Sequence, residues 1–209
     1  ELLVARSDYR AAASHFAKAK EIYKSEHRQR ELGETLYRIA YVSQMLGDSK
    51  AADHCAEEGQ ALLTENGQVG GGALPLLVRG MRAYREGRMN QASQDLTAAL
   101  RLCEKTGDRM MQARIRLSLA EVQLDRSRSG SALELAGKSL ADFRSLSAIG
   151  GEAYALNFIG KVYYRQGFVQ KALEYAEEAA SLGKRIGDRD NATQACILLA
   201  DIHEGLGDS

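Results

Sequence analysis

The sequence predicts an all-α chain built from antiparallel helix pairs that stack as a repeat, and three observations carry that expectation. Small residues recur in three columns that share a period of 40 residues. Between them, apolar residues fall three and four apart rather than alternating. Only 1 proline occurs in 209 residues, so few segments carry that helix breaker.

The first column is Ser7, Gly47, Gly87, Ser127, Gly167 and Gly207, each 40 after the last. A residue with little or no side chain ends a helix by entering the left-handed region at small cost. The second column lies five residues after each of the first five: Ala12, Ala52, Ala92, Ala132 and Ala172. The third lies seven before each of the last five: Ala40, Gly80, Ala120, Gly160 and Ala200. Two helices cross closely only where side chains are small, so these columns mark crossing points. Each unit therefore reads as helix A, tight turn, helix B and connector.

The helices follow in order. Within 34–46, Leu36, Ile39, Ala40 and Val42 form one apolar face, a helix A. Within 91–103, Ala92, Leu96, Ala99, Leu100 and Cys103 do the same for a helix B, as do Ala172, Leu173, Ala176, Ala179 and Ala180 within 171–182. Connectors repeat as well: Gly107-Asp108-Arg109 and Gly187-Asp188-Arg189, where Gly stops helix B and Asp caps the next helix A. The glycine-rich stretch from Asn66 to Gly72 reads as a flexible joint. It lacks the lysine-bearing phosphate-loop pattern, and Pro75 behind it suits a first helical turn. The expected division is one array over 1–209. It has a partial repeat 1–27, repeats 28–67, 68–107, 108–147 and 148–187, and a partial repeat 188–209, as expected of a piece of a longer protein.

These columns resemble the tetratricopeptide repeat (TPR). The likeness is fullest in the fifth repeat, with Leu156, Ile159, Gly160, Tyr163, Gly167, Ala172, Ala176 and Ala179. The third repeat carries Leu76, Gly80, Gly87, Ala92, Leu96 and Ala99, and the first keeps Tyr9, Ala12, Phe16 and Ala19. The period departs from the commonest TPR spacing and is similar to the longer variant of Leu-Gly-Asn-repeat adaptors and bacterial TPR regulators. HEAT, armadillo and WD40 repeats are of similar length, but their signature residues are missing here. The resemblance implies a right-handed superhelical solenoid whose concave groove is lined by helices A.

Composition narrows the function. Lys plus Arg number 28 and Asp plus Glu 28, a net charge of zero, which disfavours a dedicated nucleic-acid binder. No apolar run reaches the roughly 18 residues of a membrane span, and residues 1–6 do not form a secretory leader. Cys55, Cys103 and Cys196 are odd in number and far apart, which fits a reducing, cytoplasmic setting. His15, His27, His54 and His203 lack metal-ligand spacing. Neither a nucleophile elbow nor a nucleotide motif is present. No catalytic residue, metal or cofactor is expected.

The expected function is thus a non-catalytic scaffold that takes a peptide or helical segment of a protein partner. The alternative is a sensory or regulatory domain of a larger signalling or transcriptional protein, and the uncapped ends are candidates for self-association. Under the resemblance, groove positions lie three before, one after, and four to five after the third column. They assign Tyr37, Tyr41 and Gln44 in repeat two, and Met81, Tyr84 and Arg85 in repeat three. Glu121 follows in repeat four, then Asn157, Lys161, Tyr164 and Arg165 in repeat five. The resemblance gives Asn157 the role of gripping a peptide main chain. Lys161 and Arg165 are positioned to hold an acidic group, or else to pair internally with carboxylates such as Glu121 and Asp201.

Overall fold

A computed structural model describes residues 8–65 and 72–207; Ser7 and most of the glycine-rich stretch lie outside the described residues. The described residues form helices only: α1 (Tyr9–Ser25), α2 (Gln29–Met45), α3 (Ser49–Glu65), α4 (Ala73–Arg85), α5 (Met89–Thr106), α6 (Arg109–Asp125), α7 (Ser129–Ser145), α8 (Ile149–Arg165), α9 (Val169–Ile186) and α10 (Arg189–Gly207). The odd-numbered helices begin at 9, 49, 89, 129 and 169, steps of 40, and occupy the helix-B positions. Even-numbered helices are helices A.

The turns repeat one hydrogen-bond pattern. After α2 the Asp48 N–H donates to the Ser43 carbonyl and the Gly47 N–H to Gln44, closing the last turn with Gly47 at φ 80°. This is the Schellman arrangement, which satisfies carbonyls that the helix leaves open. The same pair of bonds recurs after α4, α6, α7, α8 and α9. Ser127, Ser147 and His27 take the left-handed position without being glycine, at φ 60°, 53° and 56°. Side-chain caps follow where the residue type allows: Asp8, Asp48 and Asp188 each accept from the N–H three residues on.

The described chain divides into two compact units, 8–108 and 109–207. In the first, α2 packs on α1 and α3, α4 packs on α5, and α2 and α4 lie side by side. Its core holds Leu36, Ala40, Leu77, Ala83, Leu96 and Ala99. In the second, successive helices α6 to α10 pack in order, and the helix A α8 also lies beside the helices A on either side, α6 and α10. Ala120, Ala132, Ala136, Ala153, Leu156, Val162, Ala172 and Ala179 fill it. All five residues of the alanine column are buried.

The third column touches the second. A Cβ at Gly80 would stand 3.4 Å from the Ala92 carbonyl, and one at Gly160 3.2 Å from the Ala172 carbonyl. Backbones approach here because no side chain intervenes. Ala200 differs: it is exposed, and no helix follows α10 among the described residues to cover it.

Candidate interaction site on the helix-A faces

In the first unit, α2 and α4 carry Tyr37, Tyr41, Gln44, Met81, Tyr84 and Arg85. The structure places the two α2 tyrosines in packed surroundings rather than on an open face. Tyr37 is 5% exposed, and its hydroxyl donates to Gln60 Oε1 of α3 at 2.7 Å. Its ring reaches across the hairpin because Gly59 leaves space: a Cβ there would lie 3.3 Å from Tyr37 Cδ2. Burial raises the Tyr37 phenol pKa, against the charge of Arg79. Tyr41 is also 5% exposed and meets Tyr9 edge-on, ring centroids 6.4 Å apart. Both large rings at these positions turn toward neighbouring helices and bury area there.

The remaining first-unit residues are more accessible. Met81 and Tyr84 are half-buried, and Arg85 is exposed. Arg85 donates to Asp53 Oδ1 at 2.8 Å, within a surface network in which Arg82 meets Glu57 at 2.9 Å and Asp53 at 3.6 Å. Gln44 is half-buried, and its Oε1 is shielded from solvent with no donor.

In the second unit, α6, α8 and α10 carry Glu121, Asn157, Lys161, Tyr164 and Arg165, with Asp125 and Asp201 at further groove positions and Tyr154 beyond the expected set. Tyr154, one turn before Asn157, donates its hydroxyl to Glu121 Oε1 at 2.6 Å. Arg165 donates to Asp125 Oδ1 at 3.2 Å, a pair 40 residues apart that ties α8 to α6. The Tyr164 hydroxyl donates to the Asp201 carbonyl at 2.8 Å and lies over Gly205, where a Cβ would come within 3.0 Å of it. The ion pair between these helices A is thus Arg165 with Asp125, in place of the expected Lys161 with Glu121 or Asp201; tyrosine hydroxyls meet the Glu121 carboxyl and the Asp201 carbonyl.

Glu121 is half-buried, and burial raises its carboxyl pKa. The Tyr154 hydrogen bond and the nearby Lys161 ammonium oppose that rise, and Asp125 adds to it. Asn157, half-buried, has its Oδ1 shielded from solvent and without a donor. Tyr154 was not among the expected positions. Its signal lay in helical spacing, since it precedes Asn157 by three residues and Lys161 by seven, on one stripe of α8.

Among the described residues no three His, Cys, Asp or Glu side chains are grouped to hold a metal. Burial, ahead of Asp108 and Glu104, pushes the Cys103 thiol up to about 11, and burial likewise raises Cys55. Neither is a ready thiolate nucleophile. No described helix is long and apolar enough to cross a membrane.

No family model and no curated protein matches the chain. Solved structures do. BtubC (BKLC) from P. vanneervenii is similar with a TM-score of 0.63 at 21% identity, over 97% of this chain and 85% of that one. A signal transduction ATPase with a tetratricopeptide repeat sensor, from Pyrococcus horikoshii, gives 0.60 at 17% identity over 86% of this chain. The chain spans only 28% of that ATPase. PilF of Pseudomonas aeruginosa gives 0.51 at 19% identity, over 96% of this chain and 93% of that one. At these identities the likeness speaks to architecture, and what it shows is an all-α, TPR-like helical-repeat fold.

Proposed function

We propose that the protein is a non-catalytic interaction scaffold, and that the helix-A face of its second unit takes an extended peptide segment of a protein partner. The observation that carries this reading is Asn157 Oδ1, a shielded carbonyl oxygen without a donor. Leaving a buried acceptor unmade costs about 1–3 kcal/mol, a cost removed when the Asn157 side chain turns outward to accept from a ligand N–H. A peptide main chain supplies such donors at regular intervals. Asn157 grips the main chain in this reading, with Lys161 and the Tyr154–Glu121 pair on either side along α8. The repeats 28–67, 68–107, 108–147 and 148–187 are the building blocks of the scaffold. None of the three cysteines forms a disulfide, and Cys196 is exposed, which supports a reducing compartment.

The test exploits a conflict between stability and binding. Replacing Asn157 with Leu removes the unmet acceptor and adds apolar area, so thermal stability rises by about 1 kcal/mol. Peptides selected by display against the wild-type chain lose at least tenfold in affinity for the variant, about 1.4 kcal/mol. Melting followed by circular dichroism and binding followed by fluorescence anisotropy read the two effects. Unchanged affinity in Asn157→Leu would sink the assignment.

A second reading, a sensory module within a larger regulator, is favoured by the likeness to the sensor-bearing ATPase. An ATPase, cyclase or DNA-binding domain encoded beside this segment would support it; a full-length chain of repeats alone would remove it.

A further inference from the structure

Helices A and B pair four times in one way: α2 with α3, α4 with α5, α6 with α7, and α8 with α9. The contacts at these crossings fix a register. Leu96 of α5 lies against Gly80 of α4, where a Cβ would stand 2.8 Å from the leucine Cγ. Tyr175 of α9 lies against Gly160 of α8, its Cβ 3.3 Å from the same kind of point. Further along the hairpin, Gly59 of α3 lies under Leu36 and Tyr37 of α2, whose atoms would be 3.2 and 3.3 Å from a Cβ there. The small column of helix A thus meets larger side chains of helix B, and a small residue of helix B meets larger ones of helix A.

Among the described residues, α10 is a helix A with no helix B upon it, and α1 is a helix B with no helix A. Both leave the matching face open. On α10, Ile197 is 49% exposed, whereas Tyr37, Leu77 and Leu117 in its column are buried. Cys196 and Ala200 are exposed beside it, whereas Ala40, Gly80, Ala120 and Gly160 are buried. On α1, Ala19 is half-buried, whereas Gly59, Ala99, Ser139 and Ala179 are buried; His15 is exposed, whereas Cys55 and Asp95 are buried. Carried over by the 40-residue period, the register sets His15 and Phe16 against Ala200, and Ala19 beneath Cys196 and Ile197. Charge agrees with size. α1 carries Arg10, Lys18, Lys20 and Lys24 against Glu21, and α10 carries Asp190, Asp201 and Glu204 against Arg189. A basic helix B and an acidic helix A are left without their counterparts.

We infer that the chain associates with itself head to tail: α1 of a second copy takes the helix-B place on α10, with its Phe16 over Ala200 and its Ala19 beneath Ile197. Such an interface joins two different surfaces, so every copy that joins still offers one free α1 or one free α10, and growth continues beyond the dimer. It uses none of the residues of the peptide site on α8.

Sedimentation velocity and light scattering of the full 209-residue chain, in reductant, read the outcome. The wild type grows past the dimer as concentration rises, and added salt weakens that growth. Ala200→Glu and His15→Glu each place a carboxylate on one of the two faces, at an exposed position away from the core. Each variant alone loses at least about tenfold in affinity and stays a monomer where the wild type associates. Mixed in equal amounts, the two form a dimer and nothing larger, because one supplies an intact α1 and the other an intact α10. Asn157→Leu leaves the association unchanged, which separates this interface from the peptide site. A wild type that stays monomeric at every concentration overturns the inference. So does a wild type that stops at a dimer, or association lost in Ala200→Glu but kept in His15→Glu, since α10 would then pair with itself.

Discussion

Replacing Gly183 with Ala lowers the stability of the second unit by about 2 kcal/mol, although Ala is the better helix former by about 1 kcal/mol. The reason is where the new methyl goes. A Cβ at Gly183 stands 2.8 Å from the Ala192 backbone nitrogen and 3.0 Å from its Cα, so α9 and α10 must separate to admit it. Ala192 sits in the first turn of α10, its N–H bonded to the Asp188 carbonyl, and cannot move alone. Gly33 and Gly80 offer an internal control. A Cβ there would come equally close, at 2.9 and 2.8 Å, but to Cγ of the Leu63 and Leu96 side chains rather than to backbone. Their Ala variants should cost less than Gly183→Ala, about 1 kcal/mol. Gly137, in the middle of α7 with nothing within 4 Å, should gain up to about 1 kcal/mol as Ala. For a chain of this length each kcal/mol moves the melting temperature by about 2–4 °C. Urea and thermal melts of the four variants check the order. Gly183→Ala as stable as Gly137→Ala would mean that the α9–α10 approach is looser than described.

The helix crossings were legible because they depend on residue size, which a sequence displays directly. Gly80 against Ala92 and Gly160 against Ala172 are contacts between columns found by counting. Turns were legible where glycine marked them, as at Gly47 and Gly187. They were hidden at His27 and Ser147, which take the same left-handed conformation with a side chain in place. The hydrogen bonds of the turn, made by the backbone alone, hold them there. Helix bounds came out longer than the apolar runs, since the first turn of α2 is polar and shows no hydrophobic period. Ala200 shows the limit of reading by column. Its neighbours in the column are buried only because another helix lies on them.

The candidate site was legible in part. Charges one repeat apart were expected to meet as Lys161 with Glu121 or Asp201; the pair that forms, Arg165 with Asp125, has the same spacing one turn further along the helices. The tyrosines were harder. A ring at a nominally outward position swings several ångströms to find apolar cover, as Tyr37 and Tyr41 do, or a polar anchor, as Tyr154 does on Glu121. Spacing fixes where a Cβ begins, not where a long side chain ends.

Arg79→Ala should lower the stability of the first unit by about 2 kcal/mol at neutral pH, through the partner it abandons. Asp95 is 3% exposed, and Arg79 holds both of its oxygens, Nε to Oδ2 at 2.8 Å and Nη2 to Oδ1 at 2.6 Å. Burial alone would raise the Asp95 pKa; hydrogen bonds from Arg79 and Gln91 and the Arg79 charge outweigh it and hold the group below its usual value. A carboxylate depressed in the folded state contributes stability that is fully present above its unfolded pKa, about 3.9. That contribution is lost as pH falls through the lower folded value. In the wild type the loss therefore begins only below about pH 4. Without Arg79 the sign reverses: burial now dominates, the folded pKa rises, and the variant gains relative stability as Asp95 takes up a proton. The gap between variant and wild type should be widest at pH 7 and shrink toward about pH 4. Because Arg79 is itself half-exposed, water screens part of the loss, which keeps the figure near the lower end for a broken buried pair. Arg79→Leu with Asp95→Leu should recover most of it, since neither charge is then stranded. Urea melts at pH 4 and pH 7 decide the matter. A gap independent of pH would show that Arg79 stabilises α4 by packing its methylenes alone, and the charge argument would fall.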